Sequence, residues 1–236
     1  MFCPVGLSSA VGTMMPFSTQ QFLEVFASYN ETLFPAQIVL LIAALIAIRL
    51  ASNGDTASSK IVVGVLSFYW LWMGVVYHWI FFSRINALAF VFGGLFVLQG
   101  LLLIYSGIVR SDLYFDGQSG ANRLVGTLFI VYAILIYPML GMSTGHSYPY
   151  SPTFGLPCPT TIFTFGLLLR SGRTVPLYIL PVPAIWSLLG FSAAFLLGIR
   201  EDIGLLIAGV VGSVLLMSFR TRQSYQFRAA LRLKEN

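Results

Sequence analysis

Charged side chains are scarce in this sequence, which has 236 residues and only 9% Asp, Glu, Lys and Arg. Soluble domains carry about 25% charged residues, so the composition excludes an ordinary soluble fold. The 57% hydrophobic fraction and the mean hydropathy of +0.85 indicate that the solvent of this chain is the lipid bilayer. Because a crossing needs roughly 20 apolar residues, the length provides for about six to eight helices and no separate soluble domain.

Lysine and cysteine are nearly absent as well. The two lysines, Lys60 and Lys234, lie at or beyond predicted helix ends, which excludes a retinal-type Schiff base inside the bundle. The two cysteines, Cys3 and Cys158, are too few for a disulfide framework. HExxH, phosphate-loop and nucleophile-elbow motifs are also missing from the sequence. The sequence therefore favours a protein that is not an enzyme, and it identifies no cofactor.

Carboxylates are missing from the predicted membrane interior. All acidic residues fall in predicted loops or at helix ends: Glu24, Glu31, Asp55, Asp112, Asp116, Glu201, Asp202 and Glu235. Ion-coupled transporters usually keep an acidic residue at mid-membrane, since an intramembrane charge is costly and is retained for function. Coupled transport is therefore disfavoured, whereas a passive mechanism or a hydrophobic substrate stays open.

What is present is a series of apolar segments that predicts an all-α transmembrane bundle. An amphipathic surface helix at about 17–30, with Ser18 as its N-cap, comes first. We interpret residues 1–14 as an extension, residues 15–219 as a single membrane domain and residues 220–236 as a basic cytoplasmic tail. The predicted spans lie at about 33–50, 61–82, 86–109, 124–142, 158–174, 176–198 and 203–219.

The fifth segment decides the topology. A helix from Pro159 to Thr174 rises only about 24 Å, against a membrane core of about 30 Å, so a re-entrant half-helix is the alternative to a crossing. Full crossing places all basic residues except Arg84 and Arg200 on the cytoplasmic side, as the positive-inside rule requires. The sequence thus predicts seven spans, with the N-terminus outside and the C-terminus inside.

Polar residues gather at the predicted outer face. The candidate site residues there are Glu31, His78, Asn86, His146 and Cys158. The loop at 143–159 contains several prolines, which favour an extended, rigid segment that can fold over the outer mouth of the bundle. We therefore predict a site for a small molecule or an ion beneath this loop, with transport of that molecule as one form of the function.

Cys158 supports two interpretations. As the N-cap of the fifth helix, followed by Pro159, Thr160 and Thr161, it has a structural role. The positive end of a helix also favours a thiolate, so Cys158 is alternatively a reactive thiol. With His146, Met139 and Met142 it would offer nitrogen and sulfur ligands to a soft metal ion such as Cu(I). A non-catalytic accessory or assembly protein is a further alternative.

Small residues at every fourth position predict close packing of the last two spans. The residues are Gly190, Ala194 and Gly198, followed by Gly204, Ala208 and Gly212. Glu201 and Asp202 lie in the short connection, where the positive end of the last helix favours acidic residues. Pro181 and Pro183 predict a kink in the sixth span.

The expected partners are lipids. The basic segment from Arg220 to Lys234 predicts contact with anionic lipid. Because the other basic residues mark helix ends, nucleic acid is not an expected partner. The sequence fixes neither a protein partner nor an oligomeric state.

Several stretches have the character of family motifs: MPFSTQQFLEVFASYN, WMGVVYHWIFFSRIN, VYAILIYPMLG, GHSYPYSPTFGLPCPTTIFTFGLLL and EDIGLLIAG. Through them the sequence resembles a bacterial family of multi-span integral membrane proteins classed as a domain of unknown function. The resemblance implies a bacterial inner (plasma) membrane and no particular reaction. The motif positions that it marks are Glu31, His78, Asn86, His146, Pro157, Cys158, Thr160, Thr161, Glu201 and Asp202.

Overall fold

The protein is a bundle of helices. The computed structural model describes residues 16–116 and 120–235, without the side chains of Ala193 and of residues 222–235. No β-strand occurs in these ranges, which confirms the all-α class, and the extension predicted at residues 1–14 lies outside them. The helices are α1 (Thr19–Leu33), α2 (Ala36–Leu50), α3 (Thr56–Arg84), α4 (Ala89–Val109), α5 (Ala121–Ser143), α6 (Pro157–Leu168), α7 (Pro181–Leu197) and α8 (Ile203–Glu235).

Five helical segments of the described chain are long and apolar enough to cross a membrane. They contain α3, α4, α5, α7 and the first part of α8, and the bent pair α1 and α2 would count as a sixth. The outer faces of these helices are apolar as well, as on α2, where Ile38, Val39 and Ile42 are 50 to 64% exposed. An apolar surface of this extent is typical of contact with lipid. The prediction of seven spans and their orientation stays a prediction.

α1 begins where the sequence predicts. The hydroxyl of Ser18 accepts a hydrogen bond from the backbone N–H of Gln21, and the Gln21 side chain accepts one from the N–H of Ser18. This capping box satisfies two N–H groups at the helix start and confirms Ser18 as the N-cap. α1 meets α2 at 85° and packs Phe22 and Phe26 against α3.

α6 is the central helix of the bundle. All of its residues are buried except Cys158, and its 12 residues rise about 18 Å. The indole N–H of Trp70 donates a 3.1 Å hydrogen bond to the hydroxyl of Thr164 on α6. Gly126 and Gly166 bring α5 and α6 close together, since a Cβ on Gly166 would lie 2.8 Å from the Gly126 carbonyl oxygen. A helix that is buried all round packs against protein rather than lipid.

The two ends of α6 lie near the two ends of the apolar part of α8. Cys158 lies beside Asp202, which directly precedes α8. Arg170, just beyond the end of α6, lines the same cleft as Phe219 of α8. Between Asp202 and Phe219 the helix rises about 25 Å, whereas α6 itself rises about 18 Å, so α6 together with the Arg170 side chain runs along most of the apolar length of α8.

α7 and α8 pack closely, at glycines that differ in part from those predicted. A Cβ on Gly190 would lie 2.9 Å from Cδ2 of Leu205, which places this predicted residue at the interface. On α8 the closest approach is at Gly209, which faces the Ser187 side chain. Ala194 and Ala208, which were also predicted, are buried.

The other predicted packing glycines do not face the partner helix. A Cβ on Gly204 would meet Tyr132 of α5, and one on Gly212 would meet Phe165 of α6. Gly198 ends α7 in a left-handed conformation with a φ of +78°. The prediction was wrong at these three positions because a stripe of small residues identifies a helix face without identifying the helix that it meets.

Pro181 and Pro183 begin α7 instead of kinking it. Pro181 is the first residue of the helix, where the N–H that proline lacks would have no partner within the helix. The predicted kink is therefore wrong, because the break between α6 and α7 extends several residues further along the chain than the sequence indicates.

Candidate functional site

A cavity of about 260 Å³ lies among α1, α3, α4, α7 and the segment that leads into α6. We call it the outer cavity, after the end of the bundle for which the sequence predicts the outer face. One wall comes from Phe17, Phe22 and Phe26 on α1 and the residues just before it. The facing walls contribute further aromatic side chains: Tyr77, Phe82, Phe92 and Trp186. Two leucines on the rim, Leu88 and Leu189, are 58% and 43% exposed. The outer cavity is thus mainly aromatic, with an apolar rim.

A π-helical stretch of α3 shapes this wall. It covers Met73–Phe81 and includes both Tyr77 and His78, which are buried although they are adjacent in sequence. Close packing of α3 on α4 holds the stretch in place, since a Cβ on Gly74 would lie 2.8 Å from the carbonyl oxygen of Gly93. π-Helical turns are often found at functional sites.

The polar end of the outer cavity is formed by Asp202, Cys158 and Tyr77. Asp202 is 3% exposed, and its Oδ1 accepts a 2.6 Å hydrogen bond from the hydroxyl of Tyr137. The thiol of Cys158 interacts with the same carboxyl group, and Tyr77 lies close to both. A buried carboxyl group whose neighbours are hydroxyl and thiol groups therefore closes an otherwise apolar space.

Glu201, next to Asp202, is completely buried. Its Oε1 lies 3.2 Å from Nδ1 of His146, and its backbone oxygen accepts a 2.7 Å hydrogen bond from the hydroxyl of Tyr132. Its other carboxyl oxygen, Oε2, has no hydrogen-bond partner within the described part of the chain. Of the two adjacent buried carboxyl groups, that of Glu201 is thus the one that contacts the imidazole in the described part of the chain.

The backbone explains why both acidic residues lie at this point. After Gly198 ends α7, a short 3₁₀ turn over Arg200–Asp202 leads directly into α8. The positive end of a helix stabilises negative groups placed there, and the predicted position of Glu201 and Asp202 at the start of the last helix is confirmed. Their burial was not predicted, because the sequence shows a helix end but not what covers it.

Asn30 on α1 holds the proline-rich loop against the bundle. Its side-chain nitrogen donates to the carbonyl oxygens of Pro149 and Ser151 at 2.6 and 2.9 Å, and its Oδ1 accepts from the hydroxyl of Thr153 at 2.7 Å. Asn30 is completely buried. Asn30 was not among the predicted site residues, because α1 is amphipathic and carries two further amides, so the sequence does not single this one out.

The predicted site residues are only partly brought together. Asn86 and Cys158 line the outer cavity, and His146 reaches its polar end through Glu201. Glu31 is exposed on α1 and is not among the residues that line the cavity.

His78 lies behind the cavity wall and does not meet Glu31 or the loop. It is completely buried, and neither ring nitrogen has a hydrogen-bond partner among the described residues. Its ring centre lies 4.6 Å from that of Phe96 and 5.2 Å from that of Trp186. His78 therefore belongs to an aromatic cluster within the π-helical region of α3 and is not among the residues that line the cavity, although the sequence placed it in the candidate site.

The predicted cap of the fifth helix needs correction. Leu156 is the N-cap and Pro157 the first helical residue, so Cys158 is the second residue of α6 and Pro159 follows inside the helix. Thr160 takes part in the helix start, since its hydroxyl accepts a 3.1 Å hydrogen bond from the N–H of Gly155. Proline is favourable at the first position of a helix, so the two prolines are compatible with either start, and the structure has the earlier one.

The reactive-thiol and soft-metal interpretations of Cys158 are not supported by its surroundings. The thiol lies beside the carboxyl groups of Asp202 and Glu201, whereas a stabilised thiolate needs positive neighbours. Met139 and Met142 are 62% and 61% exposed on the outside of α5. The described residues contain no group of three or more His, Cys, Asp or Glu side chains arranged to hold a metal ion, so the proposed Cu(I) ligand set is not assembled.

A basic cleft of about 350 Å³ lies at the opposite end of the bundle. Arg110, Arg173 and Arg220 line it, and Arg110 forms a 2.8 Å ion pair with Asp112. Most of the basic tail follows Arg220 as a continuation of α8, with its side chains outside the described part of the structure. Contact with anionic lipid therefore stays a prediction.

Comparison with known proteins gives a family without an activity. No curated protein and no solved structure matches the chain. One family model matches residues 19–227, which include all eight helices apart from the end of α8, and its description is a family of unknown function. This match confirms the classification that the motifs indicated: the chain belongs to the family of unknown function DUF6064.

Proposed function

We propose that the protein binds a small, largely apolar molecule in the outer cavity. The observation that carries the proposal is an aromatic cavity of about 260 Å³ that ends at the buried carboxyl group of Asp202. Ligand sites are typically concave and apolar, with a few polar groups that fix the orientation of the ligand. Because ligand pockets start at roughly 300 Å³, the ligand is small.

The rim supports an apolar ligand that enters from lipid. Leu88 and Leu189 are exposed at the opening, and neighbouring surfaces of α4 and α7 are apolar as well. In a bilayer such an opening faces hydrocarbon rather than water, so a molecule dissolved in the membrane reaches the cavity without crossing an aqueous barrier. This route requires no ion coupling.

We further propose that the outer cavity faces the outside of a bacterial inner membrane. The distribution of basic residues favours this orientation. The path of α6 between the two ends of α8 favours a complete crossing at the fifth segment. Reporter fusions inserted at residues 145–150 are expected to report a non-cytoplasmic location. A cytoplasmic signal would contradict the orientation and leave the ligand site to be tested separately.

Ligand binding can be measured by calorimetry with two probes of one shape, cyclohexylmethanol and cyclohexylmethylamine, on detergent-purified protein. A Leu189→Trp substitution places a large ring at the rim and is expected to weaken binding by at least about tenfold through steric exclusion. The matched control is Leu188→Trp, since Leu188 is 55% exposed on the same helix and does not line the cavity. We expect the control to bind like the wild type.

Two results would contradict the proposal. One is that the wild type binds neither probe saturably. The other is equal binding by the two tryptophan variants, which would place the probes elsewhere on the protein. A stoichiometric membrane protein that co-purifies, together with silent Leu189→Trp and Cys158→Ser variants, would favour the accessory-protein alternative.

A further inference from the structure

The polar end of the outer cavity has an excess of negative groups. Asp202 lines it and Glu201 precedes it in the chain, whereas the one basic group seen in contact with either carboxyl group in the described ranges is the imidazole of His146, at Glu201. None of the described residues that line the cavity is Lys or Arg. A buried carboxylate is costly unless a cation pairs with it or a proton neutralises it.

His146 does not supply that cation to Asp202. Its Nδ1 faces Oε1 of Glu201, and the partners seen at Asp202 are the hydroxyl of Tyr137 and the thiol of Cys158. Both partners are neutral hydrogen-bond donors. The side of Asp202 that lines the cavity is therefore without a positive partner among the described residues.

The aromatic walls of the outer cavity are also suited to a positively charged ligand. Tyr77, Phe82 and Trp186 on one side and Phe22 and Phe26 on the other present aromatic rings to a single small space. The faces of aromatic rings attract cations, and tryptophan does so most strongly. A carboxylate at one end of an aromatic cavity is the combination by which proteins recognise ammonium groups on apolar molecules.

We infer that the ligand of the outer cavity is an organic cation, an amine or ammonium compound whose charged group faces Asp202 and whose apolar body packs on the aromatic walls. This inference rests on the proposed function and adds the charge of the ligand to it. The cation supplies the positive partner that Asp202 lacks, and the aromatic rings replace part of the water that the cation loses on entry.

The two calorimetry probes test separately whether the outer cavity binds a small apolar molecule and whether it prefers a cation. At neutral pH cyclohexylmethylamine is a cation and cyclohexylmethanol is neutral, although their shapes are nearly the same. We expect the amine to bind at least about tenfold more tightly than the alcohol. Raising the ionic strength is expected to weaken binding of the amine only slightly, since its charge and that of Asp202 would be enclosed by the cavity.

Two variants locate the selectivity. Asp202→Asn keeps an acceptor for Tyr137 and removes the charge, so the tenfold advantage of the amine over the alcohol is expected to disappear. Trp186→Leu removes an aromatic ring from the wall and is expected to weaken binding of the amine more than binding of the alcohol. Glu31→Gln is the matched control, because Glu31 is an exposed acidic residue outside the cavity.

The outcomes are distinct. Equal or tighter binding of the alcohol by the wild type would overturn the inference about charge and leave the proposed ligand site intact. Saturable binding of neither probe would overturn the ligand site itself. If Asp202→Asn fails to fold, the comparison of the two probes on the wild type and on Trp186→Leu still decides the inference, because neither protein alters the carboxyl group.

Discussion

The hydroxyl of Tyr137 donates a 2.6 Å hydrogen bond to Oδ1 of Asp202, 65 residues further along the chain. Tyr137 is 1% exposed and Asp202 3%, so water does not compete for this bond. It joins α5 to the start of α8 at the polar end of the outer cavity. The position of the carboxyl group in the cavity therefore depends on α5 as well as on its own helix.

Loss of this bond is expected to destabilise the protein measurably. Tyr137→Phe keeps the buried ring and removes the donor, so we expect a loss of about 2 kcal/mol, the range for a hydrogen bond to a charged group. The measurement is thermal or denaturant unfolding in detergent. Tyr150→Phe, at a tyrosine that is 45% exposed, serves as the control and is expected to be neutral. Equal stability of the two variants would show that the bond contributes nothing.

Asn30 is expected to determine the order of the proline-rich loop. Asn30→Ala removes bonds to three loop residues and leaves half-buried carbonyl groups unpaired, which is expected to cost about 2 kcal/mol. Limited proteolysis should then cleave the loop around Pro149 faster than in the wild type. The neighbouring exposed residue provides the control Glu31→Ala. Unchanged cleavage in Asn30→Ala would mean that the prolines alone order the loop.

Gly209 is expected to tolerate no side chain. A Cβ there would overlap the side chain of Ser187, so Gly209→Ala is expected to destabilise the protein by about 2 kcal/mol. Ser187→Gly in the same molecule should restore much of that loss. By contrast, Gly94→Ala meets no atom within 4 Å and is expected to be neutral or stabilising by up to about 1 kcal/mol. The measurement is the unfolding midpoint of each variant in one detergent. An unfolding midpoint of Gly209→Ala equal to that of the wild type would refute the close packing of α7 on α8.

Asp55 is expected to give the start of α3 a pH-dependent stability. The hydroxyl and then the backbone N–H of Ser58 hold the pKa of Asp55 below its ordinary value. Because the folded pKa is depressed, the charged group stabilises the fold above the unfolded pKa of about 3.9, and this contribution is lost as the pH falls through the folded pKa. The melting temperature of the wild type should therefore be higher than that of Asp55→Asn at neutral pH, and the two melting temperatures should become equal in acid. A difference that stays constant with pH would exclude this role of the charge.

The basic cleft is expected to hold anionic lipid. Arg173→Gln combined with Arg220→Gln should weaken binding of phosphatidylglycerol, measured as the amount that co-purifies with the protein, by roughly 30-fold, since each basic residue contributes about 1 kcal/mol near an anionic surface. Phosphatidylcholine binding should not change. Arg84→Gln is the control, because Arg84 lies outside the cleft, over the ring of Phe81. Equal phosphatidylglycerol in all variants would contradict the prediction.

The local features of the fold could be predicted because they depend on neighbours in sequence. A helix lies in each of the predicted apolar segments, Ser18 caps α1, and Glu201 and Asp202 lie at the start of the last helix. The candidate site was predicted in part, since Asn86, His146 and Cys158 lie at or near the outer cavity. His78 was placed wrongly because π-helical turns change the face on which a side chain lies, and no pattern in the sequence marks them.

The amino-acid sequence by itself determined that this protein is built from apolar helices, since hydropathy and helix capping act between residues close together in the chain. Only the tertiary structure decided that Asp202, Cys158 and Tyr77 meet at one end of an aromatic cavity. These residues come from three separate segments, and their meeting depends on the side chains that fill the space between helices. A linear pattern does not contain that information, because the same helix faces can pack against different neighbours.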